Sequence, residues 1–155
     1  MRSGSIAEQA LHQEKRLRID KLIAEVVDNY HLLAKTRGMT FAVNTEPTTI
    51  RANHDMMRHV ISNLVSNAVR HGDAGSVITI TCDQHELAIE NACKPLTKQQ
   101  LQHVFDPFYR SNVATKQRAN SSGIGLYTVK MLLDTKGLNY EFAPVGRGMR
   151  FIVKL

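Results

Sequence analysis

The sequence is poor in several residue types, and each shortage narrows the class of protein. Its 155 residues contain no tryptophan, an aromatic fraction of 6% and only two cysteines, Cys82 and Cys93. The cysteines lack CxxC spacing, so we expect reduced thiols in a reducing compartment. No apolar run approaches the roughly 18 residues of a membrane-spanning helix. We also expect no secretory signal peptide.

The remaining composition predicts a basic globular domain. The length corresponds to about one domain, which can bury roughly two-thirds of its unfolded surface. Apolar residues make up 43% of the chain and the net charge is +6. A basic surface suits a phosphate ligand, an acidic partner, nucleic acid or a membrane surface. Because aromatic and basic residues are not interleaved, we expect no nucleic-acid partner.

Hydrophobic periodicity predicts helices alternating with strands. A helix is expected up to Thr36, capped at its start by Asp20 and ended by Arg37-Gly38. A short helix is expected at 97–104. Alternating segments predict strands at 17–20, 39–43, 48–52, 77–82, 87–89, 138–143 and 149–153. This order predicts the α/β class, as a two-layer sandwich with a mixed sheet and helices on one face.

The most informative helix is predicted between an Asn53 N-cap and Gly72. Asn63, Asn67, Arg70 and His71 form a polar stripe on it, at successive steps of four, three and one residues. Its apolar face contains Met57, Val60, Ile61, Leu64, Val65 and Ala68. Amides and cations in one row suit a ligand with oxygen anions and a hydrated cation, such as a nucleoside triphosphate with Mg²⁺. A solvated helix face would give the same pattern.

A second pattern surrounds Gly123-Ile124-Gly125-Leu126, which opens another helix. The preceding segment 111–122 has no hydrophobic period and reads as a mobile loop or lid. Glycines at a helix start let backbone N–H groups approach a phosphate, although they also suit a hinge. The P-loop motif GxxxxGK[ST] is absent, and no strand directly precedes Gly123, which excludes a dinucleotide fingerprint.

Four blocks in order resemble the catalytic ATP-binding domain of bacterial sensor histidine kinases. They match the family's N box, F box, G2 box and final Gly-x-Gly strand end. The blocks are Asn63-x-x-x-Asn67-Ala-x-x-His71, Val104-Phe-Asp-Pro-Phe-Tyr109-Arg110, Gly123-x-Gly125-Leu126 and Gly146-Arg-Gly148-Met-x-Phe151. The resemblance covers residues 17–155 and implies a Bergerat-type fold with about five strands and about three helices. Residues 1–16 are then expected to hold a leader added for expression and the end of an upstream helix.

The resemblance implies ATP and Mg²⁺ as cofactors and gives roles to matching residues. Asn67 corresponds to the Mg²⁺-binding asparagine, and Arg70 to the basic residue that reaches the phosphates; these two are the catalytic candidates. Tyr109 either packs near the nucleotide or anchors the lid, and Arg110 either reaches the γ-phosphate or fixes the lid. The other nucleotide-binding candidates are Asn63, His71, Asn91, Leu96, Gly123, Ile124, Gly125 and Leu126.

One block departs from the family. Its G1 box is Asp-x-Gly-x-Gly, but here the aligned residues include Asn91, Cys93 and Pro95. An asparagine carbonyl can still accept a hydrogen bond from the adenine amino group, but the charge-assisted strength is lost. The loop also loses glycine-only dihedral angles. We therefore expect reduced ATP affinity and reduced selectivity for adenine over guanine. The Cys93 thiol is expected to be inert.

The implied activity is γ-phosphoryl transfer to a histidine on a separate dimerisation domain, within a two-component system that has a response regulator. The acceptor block is not found here, and His12 is expected to be a solvent-facing helix residue. We expect a monomeric cytoplasmic domain from a membrane-anchored sensor. The alternative is a degenerate nucleotide-binding or sensing module without kinase activity. A gyrase, Hsp90, mismatch-repair or anti-sigma relative fits less well, because of the F box and the short lid.

Overall fold

Helices and strands alternate along the chain in the predicted order. The computed structural model describes residues 13–107 and 125–155. The strands are β1 (Lys15–Arg18), β2 (Thr40–Thr45), β3 (Thr49–Ala52), β4 (Val77–Cys82), β5 (Glu86–Ala92), β6 (Tyr140–Val145) and β7 (Gly148–Lys154). The helices are α1 (Ile19–Thr36), α2 (His54–His71), α3 (Lys98–His103) and α4 (Gly125–Lys136). None of these described helices is long and apolar enough to cross a membrane.

The main sheet has five strands in the order β2-β4-β5-β7-β6. β2 runs parallel to β4, and the other neighbouring pairs are antiparallel. This confirms the predicted α/β fold with a mixed five-stranded sheet. The pairing of β1 with β3 in a separate two-stranded ribbon was not predicted. The short helix predicted at 97–104 is present as α3, so that the described residues contain four helices where the resemblance implied about three. β6, which lies at one edge of the sheet, contains Pro144.

One face of the sheet is covered by helices and forms the core. In β4, Ile78, Ile80 and Cys82 are buried, while the alternate side chains are exposed. Burial raises the pKa of the Cys82 thiol, and neither cysteine forms a disulfide. The six apolar residues predicted for α2 are all buried, and α2 packs between α1 and α4. The opposite sheet face carries cross-strand ion pairs, including one between Glu90 and Arg150 at 3.8 Å.

Both ends of α2 are fixed by hydrogen bonds. At the start, Asn53 is the N-cap as predicted, and its Oδ1 accepts from the Met56 amide at 2.9 Å. At the end, the guanidinium of Arg37 donates to the carbonyl of Val69. The carbonyls of a last helical turn lack partners within the helix, so Arg37 satisfies one of them. The position of the polar stripe therefore depends on both α2 ends.

Asp20 does not cap α1, contrary to the prediction. α1 begins at Ile19 after an Arg18 N-cap that forms no side-chain capping bond. The Asp20 carboxylate instead accepts two hydrogen bonds from Arg18, at 2.8 and 2.7 Å, and one from the Thr48 amide at 3.0 Å. The Arg18 guanidinium therefore holds the pKa of Asp20 well below its usual range. This carboxylate joins the start of α1 to Thr48, the residue before β3. β1 ends at Arg18, before the predicted Asp20, because α1 begins at Ile19.

The substitution Asp20→Asn is expected to lower the free energy of unfolding at neutral pH by about 1–3 kcal/mol, because two donors lose a charged acceptor. The folded pKa is depressed, so this contribution is complete above the unfolded pKa of about 3.9 and is lost as the pH falls below it. The variant should lose less stability than the wild type between about pH 5 and pH 2. Urea unfolding measures both effects, with exposed Asp28→Asn as the control. Equal acid sensitivity of wild type and variant would contradict this account.

Candidate functional site

The predicted polar stripe lies along the second half of α2. Asn63, Asn67, Arg70 and His71 are all partly exposed on one continuous helix. Arg70 Nε donates to the Ser66 hydroxyl at 2.9 Å, which orients the guanidinium along the helix. Neither the Asn63 nor the Asn67 amide forms a hydrogen bond within residues 13–107 and 125–155. Two accessible amides thus remain available to a ligand beside two cationic or potentially cationic groups.

The start of α4 lies against this stripe. Gly125 is the first residue of α4, and a methyl group placed on it would lie 3.7 Å from Asn63 Oδ1. The next residue, Leu126, is partly buried against the core. The first N–H groups of a helix lack intrahelical partners and favour anions. The structure therefore brings the amide stripe and an anion-favouring helix start together.

Asn91 lies at the other end of the stripe, near the end of β5. It is a buried polar residue, only 8% exposed. Its sheet neighbours on the two adjoining strands are Ile78 and Met149, both buried. A methyl group placed on Gly72 would lie 3.5 Å from the Asn91 Cβ. Asn91 therefore adjoins the end of α2 in largely apolar surroundings.

The side-chain amide of Asn91 makes only one long polar contact within the described residues. Its Nδ2 lies 3.5 Å from the Ala92 carbonyl. That carbonyl already accepts from the Asp73 amide at 2.7 Å. Within the described parts of the chain, Oδ1 of Asn91 accepts no hydrogen bond. Because a buried polar atom without a partner is costly, this carbonyl is a candidate ligand contact.

The segment that replaces the G1 box runs beside the β6–β7 hairpin. The Cys93 amide donates to the Arg147 carbonyl at 3.0 Å. The Leu96 amide lies 3.5 Å from the Met149 sulfur. Backbone contacts with the hairpin thus position this segment without the two family glycines. Leu96, a predicted site residue, is partly buried there. It lies five residues after Asn91 and contacts Met149, the residue that pairs with Asn91 in the sheet.

Gly148 permits an unusually close approach that the sequence motif did not explain. A methyl group placed on it would lie 1.9 Å from the Asn91 carbonyl oxygen and 2.9 Å from the Ala92 Cα. Real side chains do not tolerate such distances from backbone atoms. The glycine at the start of β7 is therefore required for β5 and β7 to pair at Asn91.

Phe105 fixes the F-box segment to the sheet, a role that sequence reasoning missed. Its ring contacts Tyr140, Phe142 and Phe151 edge-on, with centroid distances of 5.8, 6.4 and 6.2 Å. Tyr140 and Phe151 stack on each other at 5.9 Å. Edge-to-face aromatic contacts of this kind add stability beyond the buried area. The chain is thus anchored just before the predicted lid.

Several predicted residues lie outside the described parts of the chain. These are His12, Tyr109, Arg110, Gly123, Ile124 and the lid segment 111–122. Of the other site candidates, Asn63, Asn67, Arg70 and His71 lie along α2. Gly125, the first residue of α4, lies beside Asn63 and is followed by Leu126. Asn91 and Leu96 lie at the ends of β5 and β7. Within residues 13–107 and 125–155, no cluster of three or more His, Cys, Asp or Glu side chains could hold a metal ion.

Comparison with known proteins gives the class that this geometry defines. The model of the histidine kinase-, DNA gyrase B- and HSP90-like ATPase family matches residues 52–155. The sensor histidine protein kinase HK06 of Streptococcus pneumoniae is 33% identical over 140 residues, covering 90% of this chain and 31% of that protein. The sensor histidine kinase CusS of Escherichia coli K12 is 28% identical over 151 residues, covering 95% of this chain and 32% of CusS. The chain thus spans about a third of the length of these relatives.

The fold comparison agrees. The catalytic domain of histidine kinase ThkA superposes with a TM-score of 0.80 at 21% identity, over 92% of this chain and 94% of that one. The chain belongs to the histidine kinase-, DNA gyrase B- and HSP90-like ATPase family. Within that family it is an ATP-binding catalytic domain of the sensor histidine kinase type. The resemblance drawn from the four sequence blocks is confirmed.

The substitution Gly148→Ala is expected to destabilise the domain by about 1–3 kcal/mol or more, because the new methyl group meets backbone atoms that cannot move aside. Gly75→Ala is the comparison variant. A methyl group there meets nothing within 4 Å, so only its positive φ of 79° opposes the change. Chemical denaturation of both variants separates collision from backbone strain. A smaller loss for Gly148→Ala than for Gly75→Ala would contradict the close-approach argument.

Proposed function

We propose that this domain binds Mg²⁺-ATP and donates the γ-phosphoryl group to a histidine on a dimerisation domain of the same kinase. The observation that carries the proposal is the row of two unengaged amides on α2, Asn63 and Asn67, of which Asn63 lies beside the start of α4 at Gly125. An anion-favouring helix start beside neutral oxygen ligands suits a metal-bound triphosphate. The family of ATPases to which the chain belongs supports the same ligand.

Asn67 is the proposed Mg²⁺ ligand. Its amide is partly exposed and makes no hydrogen bond within the described residues, so its Oδ1 is free to bind a hard cation. Mg²⁺ prefers oxygen ligands and commonly takes one or two from the protein, with the rest from phosphates and water. One protein oxygen therefore fits the chemistry of the ion. When bound, Mg²⁺ would neutralise phosphate charge.

The remaining residues of the stripe would hold and orient the phosphates. Asn63, beside the start of α4 at Gly125, would donate to the phosphates through Nδ2. Leu126 would pack below them, since it is partly buried against the core. Arg70 supplies a fixed positive charge, with Ser66 orienting its Nε. His71 closes the stripe at the C-terminal end of α2. Catalysis of this kind depends mainly on position and charge stabilisation, so Arg70 and Asn67 are the proposed catalytic residues.

Asn91 and Leu96 would hold the base. The unsatisfied Oδ1 of Asn91 can accept from the adenine amino group, and Leu96 offers an apolar contact beside it. A neutral amide lacks the charge-assisted strength of the family's aspartate, which supports the predicted reduction in ATP affinity. Tyr109, Arg110, Gly123 and Ile124 remain proposed nucleotide contacts outside the described residues.

The proposed partners are the dimerisation domain and a response regulator. ThkA has been solved in complex with the response regulator TrrA, at a TM-score of 0.73 and 20% identity to this chain. Full-length ShkA has been solved with AMPPNP, at a TM-score of 0.76 and 19% identity. A third similar structure is the cytoplasmic segment of histidine kinase QseC, at a TM-score of 0.70. The QseC structure supports a cytoplasmic catalytic domain. We propose in addition that the domain alone is monomeric and that it belongs to a membrane-anchored sensor.

A second candidate function is nucleotide binding without phosphoryl transfer. The observation that favours it is the replacement of both G1 glycines by Cys93 and Pro95, which stiffens the segment beside the proposed base. A rigid loop can hold a nucleotide yet fail to adapt during transfer.

The substitution Asn67→Ala is expected to weaken ATP binding about tenfold or more in the presence of Mg²⁺, by the loss of a metal ligand. ATP binding without Mg²⁺ should change little. Calorimetric titration of the wild type and the variant, each with Mg²⁺ and with a chelator, measures the difference. Asn29→Ala, an exposed asparagine on α1, is the matched control. An unchanged Mg²⁺ dependence in Asn67→Ala would remove the metal assignment.

Phosphoryl transfer is expected when the domain is supplied with the dimerisation domain of its own kinase. Labelled γ-phosphate should appear on that domain's histidine, and Arg70→Ala should reduce the rate because a phosphate-stabilising charge is removed. The dimerisation domain with its acceptor histidine replaced by alanine is the control. If the wild-type domain binds ATP tightly but does not label the unmodified dimerisation domain, only the binding function remains.

A further inference from the structure

The backbone at Asn91 is fixed, while its side-chain amide is not. Within the sheet, the residue is paired with Ile78 on one side and Met149 on the other. Its carbonyl lies so close to Gly148 that a side chain there is excluded. The Cα–Cβ bond of Asn91 therefore has a defined direction. The χ1 angle then sets where the amide lies, and rotation of the terminal amide about χ2 decides which of its atoms is presented there.

Nothing in the described parts of the chain locks that rotation. The contact of Nδ2 with the Ala92 carbonyl is 3.5 Å long, at the limit for a hydrogen bond. The Ala92 carbonyl also accepts a much shorter hydrogen bond, from the Asp73 amide at 2.7 Å. Because the side-chain oxygen has no partner in these residues, a half-turn of the amide gives up only one weak contact. The amide can thus present either its oxygen or its nitrogen at the same place.

This freedom matters because purines differ in polarity at position 6. Adenine offers an amino donor at C6 and an acceptor at N1. Guanine and hypoxanthine offer a carbonyl acceptor at C6 and a donor at N1. A carboxylate only accepts hydrogen bonds, so it suits the adenine amino group and repels a C6 carbonyl, whereas an amide carries both a donor and an acceptor.

We propose that Asn91 makes the base site accept 6-oxopurine triphosphates, such as GTP and ITP, as well as ATP. The inference rests on the proposed function, because it places the base at Asn91. In one orientation the amide accepts from the adenine amino group and donates to N1. In the other it donates to the C6 carbonyl and accepts from the N1 hydrogen. The reduced selectivity for adenine would therefore mean that 6-oxopurine nucleotides bind as a second class of ligand.

The test measures dissociation constants for ATP, ITP and GTP with Mg²⁺ on the whole chain. ITP is the sharper probe, because it has the C6 carbonyl of GTP without the 2-amino group. For the wild type, ITP is expected to bind within about tenfold of ATP, since either amide orientation forms the same number of bonds. Asn91→Asp is expected to weaken ITP by about tenfold or more while ATP binding is kept or improved. Asn44→Asp, the same charge change on exposed β2, should leave the ATP-to-ITP ratio unchanged.

Each outcome decides the inference. Tight ITP with weaker GTP supports the amide contact at position 6 and assigns the remaining difference to the 2-amino group. ATP binding with ITP more than about a hundredfold weaker overturns the inference but leaves the proposed function intact. No binding of any nucleotide overturns both. The wild-type ratio decides the matter even if Asn91→Asp does not fold.

Discussion

The contact between the end of α2 and the end of β5 determines the geometry of the proposed site. Here the Asp73 amide donates to the Ala92 carbonyl at 2.7 Å, which ties the chain leaving the helix to the strand. Gly72 has no room for a side chain, because a methyl group would lie 2.6 Å from both the Ala68 carbonyl and the Met39 side chain. This junction sets the distance between the phosphate-side amides on α2 and the base-side amide of Asn91. Both the stability of the core and the geometry of the proposed site depend on this junction, because the same backbone hydrogen bond holds them together.

The secondary structure and the helix side of the site could be predicted because their signals are local. The three- and four-residue spacing in α2 identified both its buried face and its polar stripe, and Asn53 supplied a recognisable cap. Alternation identified the strands to within a few residues. The family blocks then implied a mixed sheet of about five strands, but the order of those strands was not predicted.

The rest depended on contacts between residues distant in sequence. Asp20 was read as a cap because it precedes an apolar run, but its strongest partners are Arg18 and the distant Thr48 amide. The burial of Asn91 arises from neighbours on two other strands. Phe105 finds its aromatic partners in strands that follow much later in the chain. Such pairings are decided by tertiary packing, which no short window of sequence contains.

The proline in β6 has a consequence for behaviour in concentrated solution. This strand lies at the edge of the sheet, and its sequence carries Tyr140 and Phe142, two residues with a strong preference for β structure. An aromatic edge strand is a template on which another unfolded chain can pair and begin to aggregate. Pro144 has no N–H to donate, so it interrupts the row of donors that such pairing needs. Pro144 therefore opposes pairing of another chain with the β6 edge, where Tyr140 and Phe142 of the aromatic cluster lie.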